Sequence, residues 1–211
     1  MPASTGEIQP GLWRFEAEHP DWTEDEGGED GWEPVVAWWA AATSRGLLLI
    51  DPLVADWAGI DELVSRHGAC AGVVRTIHWH ERSVAQAAER YGASVWAGTA
   101  PDGAGPHPPD RRLRDGDELW DGIQAFAVER VDEIALWLPT QKALLFGDAM
   151  LRSETGELRV CPDSWTQPDG GSARLRAVLA GLTRLPVEHV LVSHGPLVLR
   201  GGVKSLNAAL G

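Results

Sequence analysis

Cysteine is scarce in this chain of 211 residues. Cys70 and Cys161 are the only two, and they form neither a disulfide framework nor a CxxC pair. Long hydrophobic runs are missing too: no stretch of about 18 apolar residues occurs, so no membrane span is expected. The opening segment, Met1 to Pro10, has neither a basic start nor an apolar core, so no secretory leader is expected and a cytoplasmic location is the default. Basic residues are in short supply. Eighteen Lys and Arg against 31 Asp and Glu give a formal net charge of −13. That balance disfavours nucleic acid and anionic membrane as partners. There is no P-loop, no GxGxxG turn and no repeat at a solenoid period. Nothing in the composition sets an oligomeric state.

What is present suits a globular protein. A hydrophobic fraction of 44% with 23% charged residues supports a sizeable core and one domain over residues 1–211. Tryptophan is abundant, with eleven residues. Most are expected in the core. Trp22 and Trp32 differ, because they lie in the acidic stretch Glu16–Glu33, which reads as a loop.

Strands are expected at about 11–15, 34–43 and 47–50, the last stopped by Asp51-Pro52. A helix follows over 56–66, with Ile60, Leu63 and Val64 at helical spacing and Gly68 as its end. A strand over 73–77 leads into His78-Trp79-His80, and a helix over 83–90 begins with Ser83 and Gln86 in a capping-box pattern. A short strand at 94–97 precedes a Gly- and Pro-rich loop at 98–109. Strands over 119–128, 134–138 and 143–146, a loop near 162–171, a helix over 172–185, a strand at 190–192 and a short terminal helix complete a mixed α/β pattern.

Polar groups follow four of the apolar runs: Asp51, the pair His78 and His80, Asp148 and His194. Strand ends are where α/β proteins gather ligands. In an extended backbone, residues two apart share a face, so both imidazoles of His78-Trp79-His80 are expected to converge on one point, as a shared metal requires.

These stretches, in this order, resemble the metallo-β-lactamase-fold superfamily from about Gly11 to Pro196. Ile50-Asp51-Pro52 is similar to the family's first motif, and Thr76-Ile77-His78-Trp79-His80 to the start of its His-x-His-x-Asp-His motif. Gly147-Asp148 is similar to the motif whose aspartate bridges two metals, and Ser193-His194-Gly195 to the final histidine motif. Asp115-Gly116-Asp117 matches the usual lead-in to the third histidine. The resemblance implies an αββα sandwich with its site at one edge, between two sheets.

Three of the seven usual ligand positions are replaced. Arg82 stands at the aspartate position, Ser83 at the following histidine position and, by the family's spacing, Glu129 at the third histidine position. The resemblance then implies one ion, zinc or iron, on His78, His80 and Glu129, with Asp148 able to add an oxygen. Asp148 and His194 are all that remains of a second site. Arg82 is expected to pair with Asp148 and stand in for the second cation's charge. Asp51 is expected to be structural, and Ser83 to be a helix cap. His19, His67, His107 and His189 are expected at the surface or in loops.

The activity the resemblance implies is hydrolysis of an ester, thioester, lactone or amide in a small-molecule substrate. Asp148 would orient the water or accept its proton, and Arg82 would stabilise the developing oxyanion. The alternative is a fold relative without metal or catalysis that binds a ligand or partner. Trp79, Trp22 and Trp32 are expected to line the pocket, because the loop between the first strands overhangs the site in the resembling fold.

Overall fold

Side chains alternate between two cores along nearly every central strand, as the period of a pleated strand requires. In the computed structural model, which describes residues 6–28, 31–98, 108–129, 131–152, 156–166 and 171–211, that alternation builds a four-layer α/β sandwich. The first sheet has seven strands in chain order: β1 (Gly6–Gln9), β2 (Leu12–Glu18), β3 (Val35–Thr43), β4 (Gly46–Ile50), β5 (Cys70–Arg75), β6 (Val95–Ala97) and β7 (Arg111–Arg112). It is antiparallel from β1 to β4 and parallel from β4 to β7. Helices α1 (Trp57–Arg66) and α2 (Val84–Tyr91) make the crossovers after β4 and β5.

The second sheet runs β13-β10-β9-β8, from β8 (Gln124–Val128), β9 (Glu133–Leu138), β10 (Ala143–Phe146) and β13 (His189–Val192). A two-stranded ribbon of β11 (Met150–Arg152) and β12 (Leu158–Val160) follows β10. Helices α3 (Gly171–Ala180) and α4 (Gly202–Leu210) cover the outer face.

Along β3, Ala37, Trp39 and Ala41 point between the sheets, while Trp38 and Ala40 point towards α1 and α2. Along β4 the split is Leu48 and Ile50 against Leu47 and Leu49. The second sheet answers with Leu136, Leu138, Leu145 and Leu191 inward, and with Trp137, Leu144, Phe146 and Val190 against α3 and α4. Helix α1 buries Ile60, Leu63 and Val64 as its spacing predicts, with the Asp56 carboxylate capping the Ala58 N–H at 3.0 Å.

Several boundaries differ from the sequence reading. Strand β8 is shorter than 119–128, because the Ile123 N–H bonds the Trp120 carbonyl at 3.0 Å and Asp121 and Gly122 take positive φ in a turn. Helix α3 stops at Ala180 and tightens into a 3₁₀ turn over Gly181–Arg184. Strands β1, β7, β11 and β12 are too short or too polar to give a periodic signal. The loop expected at 98–109 lies mostly outside the described residues, and no helix among the described residues is long and apolar enough to cross a membrane.

The parallel strands β4 and β5, and β10 and β13, bring their C-terminal ends to one edge. The sheets are laced together there: the Ala37 N–H donates to Ser193 O and the Ile134 N–H to Thr76 O, each at 2.8 Å.

Leu136 is fully buried between the sheets. Leu136→Ala is expected to lower stability by about 2–5 kcal/mol. In urea unfolding the midpoint should fall while the slope stays unchanged.

Candidate metal centre and ligand pocket

Every group at the laced edge is organised by a strand end. Asp51 ends β4 in a left-handed backbone conformation, φ 49°. Its buried carboxylate accepts the Thr76 N–H at 2.7 Å and the Thr76 hydroxyl, and it lies 3.0 Å from His80 Nδ1. It is therefore structural, as expected, and it orients the imidazole.

Strand β5 stops at Arg75, so the following residues do not continue an extended strand. The backbone turns, and the His80 N–H bonds the Ile77 carbonyl at 3.0 Å. A turn does not preserve the two-residue repeat. His78 and His80 accordingly diverge. His78 lines a narrow crevice with Arg75, Gly98 and Asp132, while His80 is buried beside Asp148 and His194.

Glu129 is exposed in the turn after β8 and joins no cluster of ligand groups among the described residues. The glutamate that reaches the site is Glu133, at the start of β9. Its carboxylate accepts the N–H groups of Gly147, Asp148 and Ala149 at 2.9, 2.5 and 2.7 Å. Three donors from one turn latch Asp148 in place. Gly147 is required there, because a Cβ would collide with the Thr76 hydroxyl. Burial and the neighbouring Asp148 carboxylate push Glu133 up to about 8, against the pull of the three N–H groups. Ser83 occupies the N-cap position of α2, but its hydroxyl accepts the Val54 N–H at 3.0 Å rather than capping the helix.

The residues gathered are His80, Asp148 and His194, all buried, with one ligand atom from each within 4.8 Å of the others. Asp148 Oδ1 lies 3.3 Å from His80 Nε2 and 3.2 Å from His194 Nε2, yet it makes no aligned hydrogen bond. Its Oδ2 accepts the Trp79 indole N–H at 2.7 Å. Burial opposes ionisation of Asp148, but the two histidines hold it well below the usual carboxylate range. Burial and the Arg82 guanidinium oppose a charge on His80, and the Asp148 and Asp51 carboxylates outweigh them, raising it to about 9. Burial lowers His194.

Arg82 does not pair directly with Asp148. Its backbone is left-handed, φ 34°. Nη1 donates to the Ala37 and Asp51 carbonyls at 3.3 Å, Nη2 lies 3.1 Å from His80 Nε2, and Nε has no partner. Burial lowers the Arg82 pKa, and Asp51 and Asp148 resist that. His80 Nε2 thus has one direction to offer and three claimants: a proton shared with Asp148, a hydrogen bond from Arg82, or a metal ion.

Above this floor lies a pocket of about 530 Å³. Trp32, Trp79 and Trp165 line it. Trp32 and Trp165 both stand edge-on to His194, with centroids 5.2 and 5.6 Å away. Trp22 is not on the wall. Its indole N–H donates to the Trp32 carbonyl at 2.9 Å and braces the loop. His19, expected at the surface, lines the pocket against Trp32. His67 packs on Trp13, His189 is half-buried at the start of β13, and His107 lies outside the described residues. Nothing local in the sequence marks Trp165 or His19 as wall residues, since they are brought in by distant loops.

The family model described as "Metallo-beta-lactamase superfamily" matches residues 35–210, and the chain belongs to that superfamily. No curated protein matches the chain. Among solved structures, it is similar to DIM-1 metallo-beta-lactamase, with 16% identity, 100% of this chain and 97% of that chain covered, and a TM-score of 0.74. It is also similar to a metallo-beta-lactamase from Pontibacter korlensis, at 16% identity, 99% and 98% coverage and a TM-score of 0.66. A third is FIM-1 from Pseudomonas aeruginosa in a mono-zinc form, at 14% identity, 100% and 95% coverage and a TM-score of 0.70. At these identities the likeness is one of fold.

Glu133→Ala leaves three N–H groups of the Asp148 turn without an acceptor. A stability loss of about 3 kcal/mol is expected, read by urea unfolding. Glu133→Gln, which keeps an acceptor oxygen, should lose about half as much.

Proposed function

We propose that this protein is a hydrolase with a single-metal site on His80, Asp148 and His194, acting on an ester, thioester, lactone or amide of a small molecule. The observation that carries the reading is the convergence of two imidazole nitrogens and one carboxylate oxygen within 4.8 Å at the floor of the pocket. Two nitrogens and an oxygen suit zinc and leave a position open. The donor atoms also fit. Asp148 Oδ1 is buried without an aligned hydrogen bond, and His80 is turned by Asp51 through its other nitrogen, as ligating imidazoles usually are.

A bound zinc would supply polarisation of the scissile carbonyl and activation of water at neutral pH. The protein's own groups do the rest. Asp148, fixed through its backbone by Glu133 and through Oδ2 by Trp79, takes the proton from the attacking water. Arg82 stays anchored by Nη1 on two backbone carbonyls. Its Nη2, once released from His80, is left to stabilise the oxygen on which charge develops. The tryptophan walls lower the local polarity beside these groups, which strengthens their electrostatic interactions.

One observation favours a second reading. Arg82 Nη2 lies within 3.1 Å of His80 Nε2, so the guanidinium is able to hold the lone pair that a metal needs. In that case the chain is a metal-free binding protein with a built-in cation.

Arg82→Ala separates the two. Protein made without a polyhistidine tag is expected to carry about one metal per chain by elemental analysis. Arg82→Ala should keep the metal and lose rate on a panel of ester, thioester, lactone and amide substrates. Asp148→Asn should lower kcat/KM by about 100-fold or more. A wild type that is metal-free and inactive, and that takes up zinc only as Arg82→Ala, would establish the binding reading instead.

A further inference from the structure

The charges and rings of the pocket are sorted by depth. At the floor, the Arg82 guanidinium is flanked by Asp51 and Asp148 and held on backbone carbonyls. At the mouth, Asp21 and Glu26 are exposed carboxylates, and no lysine or further arginine lies among the described lining residues. His19 adds no compensating charge there, because burial and Arg82 hold its pKa below the ordinary value. Between floor and mouth stand three indoles, Trp32, Trp79 and Trp165.

The indoles are held rather than loose. The Trp32 N–H donates to Glu26 Oε2 at 3.1 Å, and its carbonyl is braced by Trp22. The Trp79 N–H is committed to Asp148, yet the residue stays 46% exposed. The negative faces of tryptophan rings attract cations, most strongly where water is excluded, and nearby carboxylates add to the same field. An anionic ligand would have to pass Asp21 and Glu26 on a chain whose formal charge is −13.

We infer that this pocket selects small organic cations: its ligand carries a quaternary or protonated amine, held among Trp32, Trp79 and Trp165 beside Asp21 and Glu26. The inference rests on the reading of this pocket as the substrate site and adds the substrate class. The neutral acyl end of the molecule then reaches Asp148 and Arg82. For an ester of an amino alcohol, water adds to the acyl carbon, the acyl C–O bond breaks, and a carboxylic acid and the free ammonium alcohol leave, with no oxidant or reductant involved. A volume of about 530 Å³ suits a molecule of that size.

The test compares ligands of one shape and different charge by tryptophan fluorescence on the wild-type protein. Choline is the cation, 3,3-dimethylbutan-1-ol its neutral isostere and 3,3-dimethylbutanoate an anion of similar size. Choline is expected to bind about tenfold more tightly than the alcohol, with the anion weakest. The double variant Asp21→Asn, Glu26→Gln should erase most of that tenfold preference. Equal affinity for choline and the alcohol, or tighter binding of the anion, overturns the inference.

Metal content and hydrolysis of acetylcholine and 3,3-dimethylbutyl acetate, measured on the same preparation, keep the two readings apart. A metal-bearing protein that cleaves both esters equally well and shows no preference for choline overturns the cation pocket and leaves the hydrolase standing. A metal-free, inactive protein that still prefers choline upholds the cation pocket and removes the hydrolase.

Discussion

The buried Asp51 carboxylate is the constraint on which the site depends. It sits where β4 ends and binds the backbone and side chain of Thr76, where β5 has just ended, and it sets the ring of His80. Two parallel strands and the first histidine of the site are thus fixed by one side chain. A buried carboxylate is stable only when its acceptor positions are filled, and here the filling groups are those that must be positioned. The left-handed backbone at Asp51 and again at Arg82 is tolerated because each is pinned on both sides: Asp51 by Thr76 and His80, and Arg82 by two carbonyl acceptors.

The second organising fact is that the polypeptide supplies its own cation. With arginine at the aspartate position, a ligand that would neutralise a metal is exchanged for a fixed positive charge. The guanidinium never exchanges with solvent ions and its proton is not lost at physiological pH. It lowers the demand for metal charge around Asp148 and also competes for His80 Nε2. The other positions of the family's motif are engaged elsewhere in this structure: Ser83 accepts from Val54, Arg82 rests on two backbone carbonyls, and His78 faces a different crevice.

Much of the fold was legible in the sequence because it rests on short apolar runs bounded by turn residues and on helix spacing. Leu47 to Ile50 and Ile134 to Leu138 read as strands because both faces are buried, and Ile60, Leu63 and Val64 read as one helix face. The gathering of the candidate ligand groups at one edge was legible too, since Asp51, His80, Asp148 and His194 all follow apolar runs. The detailed geometry was not. Whether His78 joins His80 depends on where β5 stops, and β-branched residues continue to Ile77 without marking the turn. The choice between Glu129 and Glu133 depends on which residue starts β9, and two glutamates four apart with a turn between them give no local clue. Trp165 and His19 reach the pocket through tertiary contacts alone.

The tryptophan content has a physical reading in this setting. Trp38 and Trp39 are core residues, but Trp22, Trp32, Trp79 and Trp165 are spent on the edge of the sandwich. An indole offers a large apolar face and a single donor, so it can wall a pocket and also satisfy a carboxylate or carbonyl behind the wall. Trp79 does both, covering the floor while bonding Asp148, and Trp32 does both through Glu26. Replacing either by an aliphatic side chain would keep the apolar face and leave an acceptor unpaired. The wall of the pocket and the electrostatics of its floor are therefore one structure, and a change in ligand preference at this site is coupled to the orientation of Asp148.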